Sequence, residues 1–163
     1  MSSLEEQILA LFTAKRLTLA TAESCTGGLL ADRLTNISGS SNYFLGGVVS
    51  YAYSAKETLL GVDRALLERD GAVSETVACQ MAEGVRTRLN ADVGIGITGV
   101  AGPGGGSADK PVGLVWIGLA DTSGCHAERN VWNSDRVGNK RLSVEAAMRL
   151  LLTWAEQAPP KTL

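Results

Sequence analysis

A three-layer α/β/α sandwich around a mixed sheet is predicted by three features of the sequence. Short apolar runs alternate with helical stripes for most of the chain. One antiparallel hairpin breaks that alternation near the end, so the sheet is mixed. The 163 residues are enough to bury one substantial core without metals or disulfides, so residues 1–163 read as a single domain. Only the tail at 158–163, around Pro159-Pro160, is expected to fray.

Met1 to Lys15 places Leu4, Ile8, Leu9 and Phe12 on one stripe, an amphipathic helix. Leu17 to Ala20 reads as a strand, Thr21 to Gly28 as a turn, and Gly27 to Leu34 as a helix with Leu29, Leu30 and Leu34 inward. After the turn-rich Asn36 to Asn42, Phe44 to Tyr51 is β-rich, with Gly46 and Gly47 marking a bulge or a close backbone approach. Two short helices follow, Ser54 to Leu60 closed by Gly61, and Arg64 to Arg69 capped by Asp63. Ser74 caps a longer one that runs to about Leu89 with Val77, Met81, Val85 and Leu89 on its stripe. The strand Val93 to Thr98 leads into the glycine-dense loop Gly99 to Ser107. Val112 to Ala120 and Ala127 to Trp132 form a hairpin across Asp121 to Gly124. A last helix, Val137 to Ala155, turns Val144, Ala147, Met148, Leu151 and Leu152 inward.

Composition narrows the function classes. Hydrophobic residues make up 45% of the chain, charged residues 20%, and the net charge is −2, ordinary values for a globular protein. Lysines and arginines are scattered with no basic run, so nothing points to nucleic acid. No apolar run approaches the ~20 residues of a membrane span, and the N-terminus lacks a signal-peptide pattern. The expectation is a cytoplasmic protein with a small-molecule ligand and no membrane partner. The three cysteines, Cys25, Cys79 and Cys125, are read as reduced thiols. A homodimer is the base-rate expectation for assembly.

The stretch Thr21-Ala22-Glu23-Ser24-Cys25-Thr26-Gly27-Gly28 reads as a site. A strand-to-helix turn exposes backbone N–H groups near the positive end of a helix dipole, and Ser24, Cys25 and Thr26 all lie there. A helix cap needs a single hydroxyl; the additional thiol, the Glu23 carboxylate and the paired glycines exceed that need. Ser24 is therefore either a cap or a nucleophile, with Cys25 its rival as the intrinsically better nucleophile. The only histidine, His126, shares a polar strand face with Glu128 and Asn130 and is expected at the surface. A Ser-His-Asp triad is disfavoured, and no spacing of His, Cys, Asp or Glu suggests a metal site or a need for a cofactor. If a hydroxyl attacks, its base is a lysine, carboxylate or tyrosine. Lys56, one short turn beyond the strand that carries Tyr51, is the candidate; the alternative is an ordinary surface lysine. Gly94-Ile95-Gly96-Ile97-Thr98-Gly99 has the letters of a dinucleotide fingerprint but not its context, since the glycines lie inside a strand and no helix follows. The glycine loop after it is either a phosphate cradle or a flexible connection. Arg136 is either an anion contact or a solvated arginine at a helix end.

Several motifs together resemble the CinA C-terminal domain family, whose stand-alone members include nicotinamide mononucleotide deamidases. They are Thr-Ala-Glu-Ser-Cys-Thr-Gly-Gly at 21–28, Gly-Ser-Ser at 39–41, Tyr51 with Ala55-Lys56, Leu60-Gly61-Val62 and Gly71-Ala72-Val73-Ser74-Glu75. Met81-Ala82-Glu83-Gly84, Thr98-Gly99, Ala101-Gly102-Pro103, Lys110-Pro111-Val112-Gly113 and Asp135-Arg136 extend the resemblance across nearly the whole chain. With no larger N-terminal domain in the sequence, the stand-alone form is expected. The resemblance implies hydrolysis of the amide of nicotinamide mononucleotide, without metal or cofactor, by a Ser/Lys pair. Ser24 would be the nucleophile, Lys56 its base and Tyr51 a helper. Thr98, Gly99, Gly102 and Arg136 would hold substrate, and N–H groups near Thr26 and Gly27 would bind the oxyanion. Tyr53 stands where the family usually has asparagine, and Lys140 where it usually has a second arginine. The rival function is a non-catalytic nucleotide-binding regulatory module.

Overall fold

The computed structural model describes residues 1–162. In chain order the elements are α1 (Leu4–Lys15), β1 (Leu19–Glu23), α2 (Leu29–Thr35), β2 (Phe44–Val49), α3 (Tyr53–Leu60), α4 (Arg64–Asp70), α5 (Glu75–Leu89), β3 (Val93–Gly99), β4 (Leu114–Asp121), β5 (Gly124–Val131) and α6 (Arg136–Gln157). The helix starts are set by side chains: Ser3, Asp63, Ser74 and Asp135 each accept a first-turn N–H.

The sheet order is β2-β1-β3-β4-β5. β1 runs parallel to both β2 and β3, β4 pairs antiparallel with β3, and β5 pairs antiparallel with β4. The sheet is mixed, and helices cover both faces. Leu19, Ile95, Ile97 and Ile117 pack with Phe12 of α1, Leu30 and Leu34 of α2, and Val144, Met148 and Leu151 of α6. Ala20 and Ala22 point the other way, to Leu60, Leu67, Val77, Met81 and Val85 of α3, α4 and α5. Burying each of the large aliphatic side chains contributes about 2 kcal/mol, so the two cores together hold the layers.

The glycines of β3 find their explanation in this packing. Gly94 and Gly96 face α5, and a Cβ at either would run into the carbonyl of Ala82 or Ala78. On β4, a Cβ at Gly118 would sit 2.6 Å from the Ala78 carbonyl oxygen. These glycines let a helix lie against the sheet.

Several sequence expectations are corrected. β1 extends to Glu23, because Thr21 and Ala22 are paired on both sides, to Gly47 and Val48 of β2 and to Ile95 and Gly96 of β3. The turn is therefore only Ser24 to Gly28. α2 begins at Leu29, since Gly27 (φ 63°) and Gly28 (φ 102°) adopt left-handed conformations that no helix continues through. β2 stops at Val49, leaving Ser50 and Tyr51 beyond the sheet. The tail is not frayed through Lys161. Its N–H donates to the Lys15 carbonyl at 2.9 Å, its ammonium pairs with Asp92 at 2.7 Å, and Lys15 Nζ donates to the carbonyls of Ala155, Glu156 and Ala158. Leu163 lies outside the described residues. Cys79 and Cys125 form a disulfide, their Cα atoms 5.8 Å apart. The close approach of α5 to β4 at Gly118 brings Cys79 over the sheet edge where β5 carries Cys125. No described helix is long and apolar enough to cross a membrane.

Candidate active site

Three parallel strands end on one side of the molecule. From β1 the chain crosses to β2 through α2 on one face, and from β2 it returns to β3 through α3, α4 and α5 on the other. β1 therefore has neighbours reached by opposite crossings, the arrangement that opens a crevice beyond the strand ends. Ser24 leaves β1 there, Ser50 and Tyr51 leave β2, and Thr98 to Gly102 leave β3.

Lys56 enters this crevice from α3, where it shares the inward face with Leu60 one turn on. It is fully buried. Its Nζ lies 2.8 Å from Ser24 Oγ, 2.5 Å from the Ser50 carbonyl oxygen and 3.2 Å from the Tyr51 carbonyl oxygen. Burial lowers its pKa from the ordinary 10.5 to about 8. The two carbonyls can only accept. A neutral amine has two N–H bonds for them, which leaves its lone pair for the Ser24 hydroxyl proton.

A cavity of about 300 Å³ opens on this pair. Its walls include Ser24, Cys25, Tyr51, Lys56, Thr98, Gly99, Gly102 and Arg136. Arg136, the first residue of α6, donates to the Gly102 carbonyl at 2.7 Å and to Tyr51 Oη at 3.0 Å, joining the mouths of two loops. Tyr51 is 60% exposed, with its ring at the rim. Thr98 is buried and its hydroxyl donates to the Ala72 carbonyl at 2.8 Å, fixing the wall that precedes α5.

Of the residues expected at the site, seven thus meet around one cavity. Thr26 and Gly27 do not line it. The Gly27 N–H is occupied by the Ser24 carbonyl at 3.1 Å, and the Thr26 hydroxyl is buried without a partner. The first N–H groups of α2 are not free either. Glu23 Oε1 accepts from Leu30 N at 2.9 Å and Oε2 from Ala31 N at 3.1 Å. Within the turn, the Cys25 and Thr26 N–H groups donate to no oxygen among the described residues. The Cys25 thiol is 7% exposed, and burial pushes its pKa up to about 11. It is a protonated thiol at neutral pH and a poor nucleophile. Among the described residues no three His, Cys, Asp or Glu side chains gather to hold a metal ion, and His126 is exposed on β5.

Sequence reasoning missed Asn139. It is buried on α6, donates to the Ala101 carbonyl at 3.0 Å and accepts from Ser134 N at 3.1 Å. Ser143, one turn on, accepts from Trp132 Nε1 at 2.9 Å. Polar residues at i and i+4 on a helix face that is otherwise apolar were the available signal. Lys110 was likewise unassigned; it donates to the Asp70 carbonyl and ties the far end of the glycine loop to α4.

Fold and site together define the class: an α/β domain that delivers a serine, a buried lysine and an arginine to the carboxyl ends of three parallel strands. The chain belongs to the CinA family, whose C-terminal domain model matches residues 1–154. It is 58% identical over 135 residues to a CinA-like protein of Salinibacter ruber, covering 83% of this chain and 33% of that one. Among solved structures it is similar to a competence/damage inducible protein from Agrobacterium tumefaciens, with TM-score 0.90, 39% identity, and 96% and 100% of the two chains covered. A CinA superfamily protein from Escherichia coli superposes with TM-score 0.87 at 37% identity, covering 93% of this chain and 90% of that one. The chain spans about a third of the length of the curated relatives it matches.

Proposed function

We propose that this domain is an amidohydrolase that converts nicotinamide mononucleotide to nicotinic acid mononucleotide and ammonia. The observation that carries the reading is the Lys56–Ser24 contact: a buried amine, 2.8 Å from a hydroxyl, with its other neighbours two acceptor carbonyls. Neutral Lys56 takes the Ser24 proton as Oγ attacks the amide carbon. The oxyanion that forms is held by the Cys25 and Thr26 N–H groups, two of the three, with that of Gly28, that the turn leaves without an oxygen acceptor among the described residues. The Lys56 ammonium then returns a proton to the departing nitrogen, which leaves as ammonia. A water, deprotonated by the same amine, cleaves the acyl ester and restores Ser24. Arg136 faces the nucleotide phosphate, while Tyr51, Thr98, Gly99 and Gly102 shape the space between phosphate and amide. No cofactor or metal takes part in this scheme.

The test is ammonia release from nicotinamide mononucleotide by the native protein, Ser24→Ala and Lys56→Ala in chelator-treated buffer. Turnover by the native protein, with both variants folded and at least a thousandfold slower, is the expected result. Saturable binding of the nucleotide without ammonia release would overturn it and leave a nucleotide-binding module.

A further inference from the structure

Glu23 ends β1 with only 1% of its surface exposed, and among the described residues no lysine, arginine or histidine lies within ion-pair distance. A carboxylate in that position is tolerated only if other donors replace its water. They do: Leu30 N at 2.9 Å and Ala31 N at 3.1 Å each reach a different carboxylate oxygen. The side chain of the last strand residue therefore reaches over the whole Ser24–Gly28 turn and binds the helix beyond it. Without that bridge the turn would be held mainly by its ends. Gly27 and Gly28 carry no side chain to pack, and the bonds inside it are Gly27 N to the Ser24 carbonyl and Leu29 N to the Thr26 carbonyl, at 3.1 and 3.2 Å.

The main chain of Glu23 extends the connection. Its carbonyl accepts from Ser50 N at 2.9 Å, and the Ser50 carbonyl is the 2.5 Å acceptor for Lys56 Nζ. On the other side, Ser24 N donates to the Ile97 carbonyl at 2.9 Å. Glu23 is thus the residue from which the positions of both Ser24 and Lys56 are set, one through the next peptide and the other through Ser50.

We infer that Glu23 is a positioning residue: its carboxylate clamps α2 to the end of β1 and so fixes the Ser24 hydroxyl against Lys56. It does not line the cavity and is not a hydrogen-bond partner of Lys56 Nζ. The inference rests on the Ser24/Lys56 reading for its kinetic consequence, but not for its structural one.

Glu23→Gln tests it. The amide has nearly the same shape but one acceptor fewer, so one of the two helix N–H groups faces an NH₂ group instead of an oxygen. The expected results, read well below the variant's unfolding temperature, are a kcat at least tenfold lower and a KM for nicotinamide mononucleotide within twofold. The pH midpoint of the rate should not move, because the base is unchanged. Amide exchange at Leu30 or Ala31 should be at least tenfold faster than in the native protein. A purely structural residue would leave the kcat of the folded variant intact, and that outcome overturns the inference. A shifted pH midpoint also overturns it, since Glu23 would then be setting the charge of the base. If the native protein releases no ammonia, the proposed reaction falls on that result alone. The exchange rates then decide the clamp, and unchanged protection of both amides would overturn it. Should Glu23→Gln not fold, Glu23→Asp, too short to reach both N–H groups, is read in the same way.

Discussion

In the proposed reaction Lys56 ties activity and stability to one proton, and replacing it by methionine separates the two. The folded protein holds the amine with a pKa of about 8, against an ordinary 10.5. The unfolded chain therefore binds this proton more tightly than the folded one. Stability must rise with pH wherever the unfolded amine is protonated and the folded one is not, which is between about 8 and 10.5. Below that window both forms are protonated and the penalty is constant. Integrating over the window, native stability relative to Lys56→Met should increase by about 2 kcal/mol from pH 8 to pH 10, and by only a few tenths from pH 7 to pH 8. Taking the difference between the two proteins cancels the other titrating groups. Urea denaturation at half-unit intervals measures it. The rate has the complementary profile. About one-tenth of Lys56 is neutral at pH 7 and nine-tenths at pH 9, so kcat/KM should climb roughly tenfold over that interval and then level off. A stability difference that stays flat across this range would refute the claim that burial lowers this lysine. A flat rate with a rising stability difference would refute its role as base.

Three other outcomes follow from the packing. Cys25→Ala should keep kcat/KM within about threefold and cost about 1 kcal/mol of stability in urea unfolding, because the thiol is buried and protonated; loss of turnover would reinstate Cys25 as nucleophile. Gly96→Ala should destabilise by about 1–3 kcal/mol through contact with the Ala78 carbonyl, with nucleotide affinity unchanged by calorimetry. The converse pattern would make Gly96 a ligand contact. Cys125→Ser opens a covalent link between residues 46 apart, which removes up to about 4 kcal/mol under non-reducing conditions and nothing measurable once the native protein is fully reduced.

The order of elements was legible because most of the chain obeys local rules. Ser74 and Asp63 cap the helices that their positions announce, and Val77, Met81 and Val85 of the α5 stripe face the core as their spacing requires, while Leu89 at its end is exposed. What was not legible depends on register and depth. Lys56 has no neighbour in sequence that distinguishes it from a surface lysine; its burial comes from α3 lying over the ends of β1 and β2. The pairing of Cys79 with Cys125 depends on how closely α5 approaches β4, which is decided by Gly118. The Gly-x-Gly letters of β3 lie inside a strand with no helix following, unlike a nucleotide fingerprint, and their purpose appears only with α5 against them. The turn at Ser24 was visible as a concentration of reactive side chains. That Glu23 occupies the helix N–H groups behind it was not, since the bond spans residues 23 to 31 and needs the left-handed Gly27 and Gly28 to fold it back.

The reversal of chain direction between β3 and β4 has a practical corollary. Because β4 starts beside the cavity at Leu114 and runs away from it, the Asp121–Gly124 bend lies at the opposite pole, next to Trp154 and the residues that precede β1. Gly124 has open space where a Cβ would go. A fluorescent label or a surface tether placed at Ser123 would therefore leave the cavity pole facing solvent. The domain could be immobilised, pulled or followed by energy transfer while the Ser24–Lys56 cavity at the other end stays open to ligands.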